Sequence, residues 1–238
     1  MTDLVGKQRS RYVQEMFARI APRYDLMNRL MTFGQDNRWR RQVVRRARIS
    51  PGGRVLDLGA GTGDLALEAL RQCGDCFVLG ADFTLEMMQT GRESLLENGQ
   101  HPPGLNWAGA DAARLPFPDG IFDAVVSGFL VRNLTDVPAS LGEQYRVLKP
   151  GGKIVILDTT PPPKGPISPL IQFHMHTVIP AMGELIAGSP DAYNYLPDST
   201  EMFLEPEQLA VRMSSAGFYG VGFQRLMLGT IALHWGEK

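Results

Sequence analysis

Asp57, Gly59, Gly61, Thr62, Gly63 and Asp82 are the residues whose types and spacing first suggest chemistry. Val55-Leu56-Asp57-Leu58-Gly59-Ala60-Gly61-Thr62-Gly63-Asp64 reads as a buried strand, a glycine turn and a helix start. The glycines let the backbone bend sharply and approach a ligand with no Cβ in the way, and the N–H groups of the next helix point into the same space. A dinucleotide fingerprint would need G-x-G-x-x-G. Here the third glycine comes one residue early, and Asp57 stands where it would repel a pyrophosphate, which argues against NAD. An acid at that point suits a cation. S-adenosylmethionine carries an ammonium and a sulfonium, so a carboxylate in the turn is complementary to it. Asp82 follows Gly63 by 19 residues and ends the next strand, where an acid can accept both ribose hydroxyls. Asp111, with Ala112 beside it, ends the strand after that and is placed to take the adenine amino group.

The elements that must position these residues alternate from residue 51 onward. Strands are predicted at Arg54 to Leu58, Phe77 to Ala81, Leu105 to Ala108, Phe122 to Ser127 and Lys153 to Leu157. Helices are predicted over 64–72, 85–98 and up to Tyr145, with Arg146 to Gly152 as a helix stop and turn. A helix over 206–216 and two strands, about Tyr219 to Met227 and Thr230 to Trp235, close the chain, the last antiparallel in the sheet. The fold class is therefore α/β, a Rossmann-like, mostly parallel seven-stranded sheet with helices on both faces, as in class I methyl-donor enzymes. One domain spans 1–238. Residues 1–50 form a helical cap on the acceptor side, 51–160 the donor-binding core, 161–205 a lid-like insertion and 206–238 the last helix and strands.

Charge is balanced, with 24 basic and 25 acidic residues, so bulk electrostatics point to no nucleic-acid partner. The distribution is uneven: seven arginines against one acid, Asp36, lie between Arg29 and Arg48. A helix from about Asn37 carries Trp39, Val43, Val44 and Ala47 on one face and arginines on the others. Two readings stay open for it, a solvated face or peripheral contact with anionic lipid. Met1 to Ser10 has no apolar leader core and no run is long enough to span a bilayer, so a cytoplasmic protein is expected, with peripheral contact at the inner membrane face as an option. Cys73-x-x-Cys76 has no further ligands at zinc spacing and reads as structural, and His174 and His176 lack a third partner, so no metal is expected. After five prolines between 161 and 169, Ile167 to Ile186 is apolar over too broad a stripe for a surface helix and reads as a lid over an apolar acceptor.

Nearly end to end, the chain resembles the quinone-biosynthesis C-methyltransferases, which methylate demethylmenaquinol and its ubiquinone-pathway counterpart. The resemblance is carried by Tyr24-Asp25-Leu26-Met27-Asn28 with Trp39, by Arg146 to Gly152 running up to Asp158-Thr159-Thr160, by Phe129 to Asn133 against the family's F-G-x-R-N, and by Ala192 to Leu196 and His234-Trp235-Gly236. It implies donor contacts at Thr62, Asp82, Asp111 and Ala112, and at Gly128 where the family has serine. Asp36 stands in place of a histidine and Leu130 in place of a glycine, both where the acceptor would be shaped. The second signature ends in Asp and Thr in place of Glu and Ser.

Methyl transfer to a ring carbon requires an aligned, electron-rich acceptor, which for a hydroquinone means a stabilised phenolate. Arg132 is the residue to stabilise it and Asn133 to orient it. Tyr24, Asp25, Asn28, His174, Tyr193 and Tyr195 are the acceptor-side candidates, with Tyr24, Asp25, His174 and Tyr193 open as proton carriers. The partner is then a lipophilic quinol. Two rivals remain: another small apolar phenol or amine as acceptor, and a donor-binding subunit without turnover. Ring type, tail length and oligomeric state leave no mark in the sequence.

Overall fold

The computed structural model describes residues 6–187 and 190–238. Its centre is a seven-stranded sheet built from β1 (Arg54–Leu58), β2 (Phe77–Asp82), β3 (Leu105–Gly109), β4 (Phe122–Gly128), β5 (Leu148–Thr159), β6 (Tyr219–Leu226) and β7 (Ile231–Glu237). The order is β3-β2-β1-β4-β5-β7-β6. β1 to β5 are parallel, and β7, the last strand, runs antiparallel between β5 and β6, as predicted.

Period-two alternation divides the central strands between two cores. Leu56, Leu58, Val125, Ile154 and Ile156 face one side with Leu141 and Val147 of α6 (Val137–Val147) and Leu209 and Met213 of α10 (Pro206–Ser215). Val55, Ala124, Val126, Val155 and Leu157 face the other, under Trp39, Val43, Val44 and Ala47 of α3 (Asp36–Ala47) and Leu65, Ala66 and Ala69 of α4 (Asp64–Cys73). Burial on both faces is why these strands read as continuous apolar runs. α5 (Leu85–Glu97) follows β2. Gly91 lets it approach the glycine turn closely, since a Cβ there would lie 2.1 Å from the Thr62 carbonyl oxygen.

The remaining helices make a third layer at one end of the sheet. α1 (Lys7–Ile20) and α2 (Tyr24–Met31) pack Met16, Ile20, Met27 and Met31 against Ile179, Ala192, Tyr193 and Tyr195. These last four come from the segment after β5: α7 (Ser168–Phe173), α8 (Ile179–Met182) and α9 (Pro190–Glu201), with π-helical turns at His174–Val178 and Gly183–Ala187. Pro180 sits in the first turn of α8, and the two π turns break what the apolar pattern alone presents as one stretch.

Two sequence expectations shift. Residues 24–31 form a helix that the sequence reading left unassigned, because its periodic pair Met27 and Met31 is buried by tertiary packing with α1 and the distant Ile179 region. β5 begins at Leu148, ahead of the Pro150-Gly151-Gly152 turn, because Leu148 pairs with Phe122 and the register resumes at Ala124 with Lys153 across an irregularity. Among the described residues no helix is long and apolar enough to cross a membrane.

Candidate active site

The strand order reverses between β1 and β4, so their carboxyl ends open a crevice, the usual ligand position in such sheets. Gly59, Gly61 and Gly63 turn the chain there with φ of 73°, 57° and 93°. A side chain at Gly59 would strike Leu130, 2.9 Å away, and one at Gly63 would strike Trp107 at 2.4 Å. Asp82 is fixed by two backbone donors, Gly61 N–H to Oδ2 at 2.8 Å and Thr84 N–H to Oδ1 at 2.7 Å. It thereby ties the glycine turn to the end of β2 and holds its carboxylate in the cleft wall, where a diol could meet it. Burial raises its pKa, and these N–H groups oppose the rise.

The cleft is lined by Gly59, Gly61, Asp82, Asp111, Ala112 and Gly128 from the sheet end, and by Tyr24 and Asn133 from the acceptor side. Phe83, Thr84 and Met87 complete the wall beside Asp82, residues the sequence reading passed over although they directly follow the acid. A second cavity of about 330 Å³ adjoins it, walled by Met31, Ile171, Met175, Ile179, Leu196 and other apolar groups. Phe129 lines both spaces and is the partition between them. It holds φ 61°, a left-handed conformation that a bulky residue seldom adopts and that its sequence context does not announce.

Arg132 lines the apolar cavity, almost wholly buried. Its Nη1 donates to Asp158 Oδ1 at 2.7 Å and to the Phe129 carbonyl at 2.9 Å, and its backbone N–H donates to Asp158 Oδ2 at 3.1 Å. The Nε of the same guanidinium is buried with no partner. Asn133 donates to the Phe129 carbonyl at 3.1 Å and accepts from the Tyr195 hydroxyl at 3.2 Å. Burial raises the pKa of the Tyr24 phenol, against the pull of the Arg132 charge. Asn28 and His174 line the apolar cavity, each with a buried nitrogen lacking a partner, and His174 stacks on Phe33 with ring centroids 5.7 Å apart.

Several sequence-predicted site residues lie elsewhere. Asp57 shares the face of Val55, under α4, and lines neither cavity. Thr62 and Gly63 are also outside the lining. Thr62 donates its hydroxyl to Asp25 at 2.7 Å, so this pair joins α2 to the glycine turn and faces no acceptor. The pKa of Asp25 is raised by burial and by Asp64. Tyr193 is buried with its hydroxyl unpartnered, and Tyr195 faces a separate cleft beside Arg9 and Asp136. Asp36, expected where the acceptor is shaped, is instead 1% exposed and pairs with Arg40 at 2.5 Å, which reaches on to Asp64 at 3.1 Å. That network lies beneath the donor turn. Leu130 lines the donor cleft against Gly59.

The Asp57 carboxylate makes a pH prediction. Burial first, then the charge of Asp82, pushes its pKa from 3.8 up to about 7. The folded chain therefore holds this proton where the unfolded chain has lost it. Stability falls as pH rises from about 4 to 7, and the cost is complete above the folded pKa, on the order of 4 kcal/mol. In urea unfolding of the ligand-free protein, the stability of Asp57→Asn relative to the parent should grow by about 2–3 kcal/mol between pH 5 and pH 8. An identical difference at both pH values would show that Asp57 is not the titrating group.

A sheet of this order, with a glycine turn at β1 and an amide-held acid at the end of β2, defines a class I S-adenosylmethionine-dependent methyltransferase. The same fold occurs in the [4+2]-cyclase SpnF (TM-score 0.70, 17% identity, 98% of this chain and 96% of that one) and in a SAM-dependent methyltransferase from Aquifex aeolicus (TM-score 0.60, 20% identity, 83% and 88%). The chain belongs to the ubiE/COQ5 methyltransferase family, whose sequence profile matches residues 5–238. It is 47% identical to the ubiquinone/menaquinone biosynthesis C-methyltransferase UbiE of Desulfotalea psychrophila over 95% of this chain and 90% of that one. It is 45% identical to the demethylmenaquinone methyltransferase of Thermus thermophilus over 94% of this chain and all of that one. The donor is S-adenosylmethionine, and the protein is an enzyme.

Proposed function

We propose that this enzyme methylates a ring carbon of a prenylated hydroquinone, converting demethylmenaquinol to menaquinol. The observation that supports it most directly is the apolar cavity beside the donor cleft, lined in part by Arg132, which also borders the cleft beside Arg9 and whose guanidinium Nε is buried without a partner. An apolar ligand with one anionic oxygen fits that combination, and a small polar acceptor does not. S-adenosylmethionine supplies a methyl group on a sulfonium, which needs no further activation as a leaving group. Asp82, Asp111 and the glycine turn hold it at the strand ends. Arg132 Nε–H stabilises the phenolate oxygen and so raises electron density at the adjacent ring carbon. Asn133 fixes the Phe129 carbonyl, and with it the partition across which the ring must reach the donor. Tyr24, which lines the donor cleft and feels the charge of Arg132, is the phenol assigned to exchange a proton with the hydroquinone and to take up the ring proton that the methyl group displaces.

The relatives support a naphthoquinol, since one is a demethylmenaquinone methyltransferase and another a ubiquinone/menaquinone biosynthesis enzyme. Labelled donor, offered with chemically reduced demethylmenaquinone and a benzoquinol analogue in detergent micelles, should place label on the naphthoquinol ring carbon at least tenfold faster. Label on neither, with donor binding intact in the same sample, would remove the quinol reading and leave another apolar acceptor.

A further inference from the structure

The most unusual surface lies around the mouth of the apolar cavity. Phe33, Leu170 and Leu228 line that cavity and are nevertheless 73%, 66% and 65% exposed. Phe33 and Leu228 hold φ of 53° and 55°, backbone conformations that cost energy for bulky residues and persist where the surroundings impose them. Leu26 and Leu30 on α2 are 51% and 39% exposed as well, outside the lining of the cavity itself. Leu185, the most exposed of them, sits on the Gly183–Ala187 turn that packs beside α2. Side chains of this size gathered at one opening exceed the scattered exposure of an ordinary surface.

Exposed charge in the stretch Arg23 to Arg48 is basic, and Glu184, beside Leu185, is an exposed acid on the neighbouring turn. Between Arg23 and Arg48 the two acids are engaged inward, Asp25 with Thr62 and Asp36 with Arg40. Arg23, Arg29, Arg38, Arg41, Arg45, Arg46 and Arg48 are exposed, and among the described residues none of them forms an ion pair. Arg29 and Arg38 flank Phe33 in the chain, on α2 and in the first turn of α3.

We propose that the face around this mouth docks on an anionic phospholipid surface, its apolar tips entering the interfacial layer and Arg29 and Arg38 meeting headgroup phosphates. The proposal rests on the lipophilic-acceptor reading and adds the route: the acceptor passes from the bilayer into the cavity without crossing water. A lipid surface fits better than a protein partner because the cations are unmatched by any exposed acid of the same stretch. The apolar tips also surround an opening and do not line a groove that could read a sequence. It moves the contact from the α3 face considered in the sequence to the end of α2 and the lid.

Flotation of the full chain with vesicles tests it. Vesicles containing phosphatidylglycerol should carry the protein, and pure phosphatidylcholine vesicles should carry at least tenfold less. Arg29→Glu with Arg38→Glu should lower binding to the anionic vesicles more than tenfold, and Leu26→Ser with Leu185→Ser at least threefold. Turnover of a tail-less quinol in solution should stay unchanged in both pairs, while turnover of a long-tailed quinol in vesicles falls with flotation. No flotation by the parent, equal binding to neutral vesicles, or an equal loss from Arg41→Glu with Arg45→Glu would overturn the assignment. Failure of the quinol reading would show separately, as no methyl transfer to the soluble acceptor while flotation persists.

Discussion

Asp82→Ala is expected to weaken S-adenosylmethionine binding by about a hundredfold to a thousandfold, the largest donor effect of any single change in the cleft. The variant loses two charge-assisted hydrogen bonds to the ribose, each worth roughly 1.5–3 kcal/mol. It also frees the Gly61 and Thr84 N–H groups, so the glycine turn loses its tie to β2. Asp82→Asn keeps one acceptor and should fall between the two. Isothermal titration with donor alone isolates the effect, and turnover at saturating donor should recover most of its value because the acceptor cavity is untouched. A loss below about fivefold would show that the ribose sits elsewhere.

The second large effect belongs to Arg132 and needs a chosen variant. Arg132→Ala would leave Asp158 buried at 1% exposure without its ion-pair partner, at a cost of about 3–5 kcal/mol in stability. Lost activity in that variant would therefore mix unfolding with chemistry. Arg132→Lys keeps a cation for Asp158 but removes the second guanidinium N–H, so it separates the two roles. Its turnover is expected to fall about a hundredfold, the usual cost of one oxyanion donor, with donor affinity within threefold of the parent. Parallel losses in turnover and donor binding would place Arg132 in the donor site or in structure alone.

Much of this was legible in the sequence because it rests on short-range constraints. A strand buried on both faces, a turn that only glycine can make and an acid at a strand end are local patterns, and they located β1, β2, β4 and the donor cleft within a residue or two. The acceptor side was harder. Phe129 becomes a partition only because the chain after β4 turns left-handed, and nothing in Phe129-Leu130-Val131 announces that. The helical state of residues 24–31 depends on Ile179 and Tyr193, more than 140 residues away in the chain. Asp57 was assigned by its charge and its place before the first glycine, and Asp36 by its place in the family resemblance. Strand parity puts the first under α4, and Arg40, four residues along the same helix, draws the second inward.

Phe129 as a shared wall has one more consequence. Two binding spaces that touch through a single side chain behave as tethered sites, each raising the effective concentration of whatever occupies the other. A ligand joining a demethylated donor to an apolar chain would meet only one loss of translational freedom while engaging both. Its affinity would exceed that of either half by far more than any new contact could explain, and linker length alone would govern the gain.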